Sequence, residues 1–202
     1  MTVERSGGEL RAVRNTLGGA TEATQAVTSA KKVVTVSPKA YAQAEAGSGG
    51  SVRPVAVSAP PTRMTVKESR KLGKDNIDIE AAGVILAVGQ GLSDEAALAL
   101  ADEVARGLGG VLACSKPVAT DRKWLSEERV IGLSGKLCRP ELALVMGISG
   151  QVQFTVGIRD AKTIVAVNTD ENAPMCQMSD YILVSDLKEV LCQLKEAIGK
   201  GL

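Results

Sequence analysis

The chain has 202 residues, 45% of them hydrophobic but only 2% aromatic, and a formal net charge of +1. So small a charge gives no field to draw in nucleic acid or an anionic membrane surface, and the shortage of aromatics removes stacking platforms, which excludes nucleic-acid binding. The complete absence of histidine removes Ser-His-Asp triads, histidine acid–base chemistry and most catalytic zinc sites.

The four cysteines, Cys114, Cys138, Cys176 and Cys192, are scattered and form no C-x-x-C pair, which argues against a disulfide frame or structural zinc. The opening residues MTVERSGGEL are charged and Gly-rich, unlike a signal peptide, and no apolar run has the length of a membrane span. The expectation is a soluble, cytoplasmic protein without membrane insertion.

From Glu9 to Pro38 the pattern predicts strands. Leu10, Ala12 and Arg14 alternate with other residues, Gly18-Gly19 makes a turn, Ala20–Val27 follows, and Lys32–Val36 forms a third short strand. Ala40–Ala46 reads as a single helical turn and Gly47–Ser51 as a break. Val52–Val57 and Thr62–Val66 read as two more extended pieces, split by Ala59-Pro60-Pro61. Five short strands with no covering helix cannot bury a core alone, so residues 1–66 read as a β-rich part of something larger, and the charge-rich 67–80 as a linker.

A different pattern starts at Ala81. Gly83–Val88 is a continuous apolar strand, Gly89-Gln90-Gly91-Leu92 turns the chain, and Ser93 is placed to cap a helix with Asp94 and Glu95 in its first turn. Ala96, Leu100, Val104 and Leu108 predict its buried face, with Gly107, Gly109 and Gly110 ending it. Further strands are predicted at Val111–Ala113, Arg129–Leu133, Glu141–Met146, Thr163–Val167 and Tyr181–Val184. Trp124-Leu125-Ser126 lies in a loop, and a final helix runs over Asp186–Ile198. This alternation over 81–202 predicts an α/β domain with a doubly wound, parallel, Rossmann-like sheet.

In such a sheet, ligands lie beyond the carboxyl ends of the strands. Two exits carry suitable residues: Gly147-Ile148-Ser149-Gly150 before a helix opening at Gln151–Phe154, and Asn168-Thr169-Asp170. Glycine admits a bulky anion close to the backbone, and a helix start offers unpaired N–H groups to it, so the residues alone predict a nucleotide or phosphate cradle. The plain alternative is a tight strand–helix turn, with Asn168 and Asp180 serving only as turn and cap residues. Lys116 and Ser134 read equally well as solvated turn residues, and Trp124 as a packing anchor. The cysteines near these loops read as small buried hydrophobes.

Six motifs in order carry a resemblance: VGQGL (88–92), ACSKPV (113–118), GLSGKLCRPEL (132–142), GISGQVQF (147–154), KTIVAVNTD (162–170) and APMCQMSDY (173–181). Together they resemble the C-terminal, FAD-binding domain of the electron transfer flavoprotein alpha subunit. The N-terminal third resembles the last strands of that family's first domain, so the chain looks like a truncated or split alpha subunit.

The resemblance implies FAD as cofactor. It puts the adenine end at Asn168 and Asp180, the pyrophosphate and ribityl chain at Ser149, Gly150 and Gln153 behind Gly147, and phosphate at Ser115. Lys116, Ser134 and Gly135 would border the isoalloxazine, near Gln90. The family usually has arginine at the places of Gln90 and Lys116, glutamine at Leu133 and histidine at Phe154. Such changes imply weaker flavin binding or a lower potential: ~1–2 kcal/mol lost by the reduced anion lowers a one-electron potential by roughly 40–90 mV.

The function implied is an electron carrier rather than a catalyst with its own substrate. Its partners would be a beta-like subunit and, for a split alpha subunit, a separate N-terminal alpha fragment. Electrons would come from a flavin dehydrogenase such as an acyl-CoA dehydrogenase and go to a redox acceptor. The alternative is a non-redox nucleotide-binding or structural relative that has lost useful flavin binding. An NAD(P) oxidoreductase is disfavoured, since no G-x-G-x-x-G follows Gly83–Val88.

Overall fold

The structure, a computed structural model, describes residues 2–17, 21–36, 39–45, 47, 49–58, 62–69 and 77–201. The expected turn at Gly18-Gly19, the break at Ala59-Pro60-Pro61 and half of the expected linker, residues 70–76, lie outside the described residues.

Near the N-terminus, strands β1 (Thr2–Ser6), β2 (Glu9–Thr16) and β3 (Thr21–Val27) form one sheet with β2 in the middle, and β1 pairs antiparallel with β2. Leu10 and Ala12 turn inward on β2 as their alternation predicts, while Arg14 is exposed. β1 was not expected, because its sequence TVERS has only one aliphatic residue. The expected strands at Lys32–Val36, Val52–Val57 and Thr62–Val66 do not form, and residues 40–45 hold no helical turn. Val33, Val52, Val57, Met64 and Val66 are all more than four-fifths exposed. Strand propensity reports fit to a half-buried pleated surface, and here no sheet face receives these side chains.

The second sheet has five parallel strands in the order β5-β4-β6-β7-β8: β4 (Val84–Val88), β5 (Val111–Cys114), β6 (Leu142–Met146), β7 (Thr163–Asn168) and β8 (Tyr181–Val184). Alternate residues of β4 feed two different cores. Leu86 and Val88 join Ala97, Ala101 and Val104 of α1 (Glu95–Gly107) and Leu187, Val190 and Leu191 of α5 (Leu187–Gly199). Ile85 and Ala87 join Val145, Ile164, Phe154, Ile158 and Met175 on the opposite face. Covering both faces is what the unbroken aliphatic runs of a parallel sheet require, each fully buried Leu or Ile stabilising by about 1.5–3 kcal/mol.

Three helix details differ from expectation. The N-cap of α1 is Asp94, not Ser93: its Oδ1 accepts from Ala97 N at 2.7 Å, and the Ser93 hydroxyl donates to its Oδ2. The buried stripe is Ala97, Ala101, Val104 and Ala105, leaving Ala96 exposed, because small residues let α1 lie close to β4 and α5. Gly107 stays inside the helix, where Ile198 of α5 fills the space a side chain would need.

The strand expected at Arg129–Leu133 is reduced to a 3-10 turn, Glu127–Arg129, followed by single bridges from Val130 to Cys114 and from Ile131 to Lys136. At Gly132 the backbone leaves the extended run at φ +131° and packs where any side chain would strike the Gln153 carbonyl. The bridge still lies parallel beside β5. With it, the order reads third, second, first, fourth, fifth, sixth in chain sequence, the order of a doubly wound dinucleotide-binding sheet.

Candidate functional site

The chain goes outward from β4 to β5 on one side and from β6 to β7 and β8 on the other, so the strand order reverses between β4 and β6. Exit loops on either side of such a reversal part from one another and leave a crevice. Here the crevice is a cavity of ≈ 800 Å³ lined by the exits of β4 (Gln90, Gly91), β5 (Ser115, Lys116), β6 (Gly147, Ile148, Ser149) and β7 (Asn168, Asp170). That volume is in the range of small-molecule and cofactor sites.

One wall is built from backbone. After β6, Gly147 takes φ +62° and Gly150 φ +88°, and α3 (Val152–Thr155) begins with Gln151 at its N-cap and no side-chain cap. The N–H groups of Ser149, Gly150, Gln151, Val152 and Gln153 make no hydrogen bond among the described residues. Ser149, Gln151 and Gln153 line the cavity. A run of free N–H groups beside a polar cavity is chemistry suited to phosphate oxygens.

The floor is braced by Asn168. Its Nδ2 donates to Ile148 O at 3.0 Å and its Oδ1 accepts from Asp170 N at 3.1 Å, tying the β7 exit to the β6 exit. Lys116 is exposed at the start of α2 (Lys116–Thr120) and brings the cavity a positive charge. Asp121 and Asp170 bring carboxylates to the same lining. An anion in this cavity would therefore be held chiefly by N–H dipoles. Two buried thiols neighbour lining residues, Cys114 preceding Ser115 and Cys176 donating through Sγ to the Asp170 carbonyl. Burial pushes Cys114 up to about 12 against the opposing pull of Arg129, and burial, then the Asp170 charge, raises Cys176.

Of the residues singled out from the sequence, the cavity brings together Gln90, Ser115, Lys116, Ser134, Gly147, Ser149, Gln153 and Asn168. Three lie elsewhere. Gly135 packs against Val130, whose carbonyl would stand 2.2 Å from any added Cβ. Gly150 packs in the same way against Met175, while Met175 N donates to Ser149 O at 3.0 Å, so Gly150 acts by seating Ser149. Asp180 is at the opposite edge of the sheet. Its Oδ2 accepts from Ile164 N at 2.8 Å and its own N–H donates to Ile164 O, near the start of β7. Four residues of strand, roughly 13 Å, separate that point from Asn168. The carboxylate that follows β8 at the cavity's edge of the sheet is Asp186, the N-cap of α5.

Sequence reasoning missed Thr120 and Asp121, because nothing flagged α2 as a helix apart from Pro117 in its first turn. Asp170 was visible as a polar strand exit but was not assigned a place. Phe154 and Ile131 give the cavity apolar walls, and Leu133 is 59% exposed beside Ser134.

These features fit a dinucleotide: the volume suffices, the glycine-bearing exits allow close approach, and the N–H run offers donors to a pyrophosphate. Residues 78–159 match the family described as the electron transfer flavoprotein FAD-binding domain. The chain is similar to protein FixB of Escherichia coli strain K12, 33% identical over 201 residues, covering 98% of this chain and 64% of that protein. FixB of Escherichia coli O127:H6 is 36% identical over 170 residues, covering 83% of this chain and 54% of the relative. The chain thus spans less than two thirds of the length of these relatives. Its site geometry, its matched segment and its likeness over nearly all of its own length agree: the chain is similar to electron transfer flavoprotein alpha-type proteins, and the matched segment is of a family described as FAD-binding.

Proposed function

We propose that residues 81–202 hold FAD and that the chain serves as the alpha-type part of an electron carrier. In this reading residues 1–66 are a portion of the alpha subunit's first domain, joined through 67–80. A beta-type subunit completes the carrier, which takes electrons from a flavin dehydrogenase and passes them to a redox acceptor. The observation that carries this reading is the cavity at the strand-order reversal, lined by Ser149, Gln151 and Gln153 with their free N–H groups, in a chain whose residues 78–159 match an FAD-binding family.

The pyrophosphate would lie against those N–H groups and Ser115, with Asn168 shaping the nucleotide end and Lys116 supplying positive charge. Bound FAD supplies the redox chemistry itself; the protein binds it, orients it and sets its electrostatic surroundings. No residue here is required to form or break a bond.

A second reading, a nucleotide-binding relative without redox function, is favoured by one observation. Lys116 is opposed in the lining by Asp121 and Asp170. A purified chain decides between the two. The electron-carrier reading expects a yellow protein that releases FAD on denaturation, or a colourless one that takes FAD up in a calorimetric titration. A chain that neither retains nor takes up FAD, yet binds AMP, leaves the second reading in place.

A further inference from the structure

Arg122 stands behind the cavity wall, in the turn between α2 and Trp124. Its Nη1 donates to the carbonyl of Leu92, its Nη2 donates to the carbonyl of Gln90 at 3.0 Å, and its guanidinium carbon lies 4.6 Å from the centroid of the Trp124 ring. The Gly89–Leu92 loop is fastened on its other side by backbone alone, through Gly89 N to Met146 O at 3.1 Å and Gly91 N to Gly147 O at 3.0 Å. Among the described residues, Arg122 makes the only side-chain hydrogen bonds between the loop after β4 and the segment after β5. Both segments line the cavity, through Gln90 and Gly91 on one and Ser115 to Asp121 on the other.

A planar fork suits this place. Two carbonyls two residues apart accept from two different nitrogens, while the flat face of the same group rests on an indole, which fixes its plane. A lysine ammonium carries the charge but cannot reach both carbonyls and stack together.

We propose that Arg122 is a positioning residue for the cavity. Braced on Trp124, it holds the Gln90–Leu92 loop at a set height and so sets the width of the cleft between the β4 and β5 exits. Its bearing on ligand affinity rests on the nucleotide reading given above; the clamp on the loop does not.

The test compares the full chain with Arg122→Lys, Arg122→Gln and Trp124→Phe, by residue-resolved amide hydrogen exchange without ligand and by titration with FAD. Both Arg122 variants should speed exchange at Gly91 and Leu92 by about tenfold or more while leaving Leu191 in α5 at its wild-type rate, because only a local opening is released. They should weaken FAD binding by about tenfold. Trp124→Phe, which keeps a ring beneath the guanidinium, should stay near wild type in both. Wild-type exchange at Gly91 and Leu92 in Arg122→Lys would overturn the clamp, as would acceleration spread evenly into α5. Unchanged FAD affinity in variants with a loosened loop would overturn the link to the ligand. Wild-type protein that binds no FAD would sink the flavin reading, and the exchange measurement would still decide the clamp.

Discussion

Gly91 and Gly147 meet backbone to backbone: Gly91 N donates to Gly147 O at 3.0 Å, and a Cβ added to Gly91 would lie 2.8 Å from the Gly147 Cα. The contact joins the exits of β4 and β6, the two strands between which the strand order reverses. Gly147 also takes φ +62°, a conformation that side-chain-bearing residues adopt at a cost. Gly91→Ala should destabilise the chain by about 1–3 kcal/mol through overpacking against backbone that cannot yield. The urea midpoint should fall with an unchanged slope. A midpoint equal to wild type would mean that the two loops are not in this contact in solution.

Lys123, in the turn beyond α2, holds φ +57°, a left-handed conformation with no glycine to adopt it. Lys123→Gly should stabilise by about 0.5–1 kcal/mol, the strain relieved exceeding the extra freedom given to the unfolded chain. Thermal unfolding would show it as a raised midpoint, and Lys123→Ala, which keeps the Cβ, should show little gain.

Two carboxylates, the N-cap Asp94 and Glu103 of α1, link the α1–α5 contact to pH. Asp94 is held below its ordinary 3.8 by the hydrogen bond from Ala97 N, then by the Ser93 hydroxyl, with Lys188 adding to the pull. Glu103 is held below 4.5 by its hydrogen bond to Lys195, then by that lysine's charge. Both folded-state values are depressed, so the stability these groups contribute is present above their unfolded values and is lost as pH falls through the folded ones. Unfolding midpoints should therefore drop below about pH 4, and the drop should be shallower in Asp94→Asn. An identical acid limb in that variant would show that Asp94 carries none of it.

The cysteines should separate by burial. Cys114, Cys138 and Cys176 are buried and Cys192 is exposed on α5. Only the thiolate reacts with an alkylating agent, and burial pushes Cys114 up to about 12. Brief alkylation of the native chain near pH 8 should add one label, at Cys192, and unfolding in denaturant should add three more. Rapid native labelling of Cys114 would mean that the sheet edge at β5 opens far more readily than its packing indicates.

Much of the parallel sheet could be read directly. Runs such as Val84–Val88 and Leu142–Met146 are aliphatic throughout because both faces of the sheet are covered, and that pattern is local to each run. The exit residues of the β6 and β7 loops were legible for a similar reason: Gly147-Ile148-Ser149-Gly150 and Asn168 each follow directly on such a run. In the N-terminal third β2 and β3 form where strands were expected, but the pieces at Lys32–Val36, Val52–Val57 and Thr62–Val66 were misread by the same rule. Val55 and Val57 alternate as strand residues do, but alternation cannot say whether a partner strand exists, and in the structure both are exposed.

The sequence by itself determined the fold class, the edge of the sheet that bears the cavity and the family resemblance. Those depend on short-range patterns: apolar runs, the glycines that follow them and the order of the motifs. Only the tertiary structure decided that Asp180 bonds Ile164 at the far edge of the sheet while Asn168 bonds Ile148 at the cavity. A polar residue between α4 (Pro174–Gln177) and β8 can serve either end of a neighbouring strand, and the pairing of Val165 with Tyr181 sets which end it meets. Likewise, no local pattern could have told that the guanidinium of Arg122 would reach back thirty residues to Leu92, because that contact exists only once β4 and β5 lie side by side.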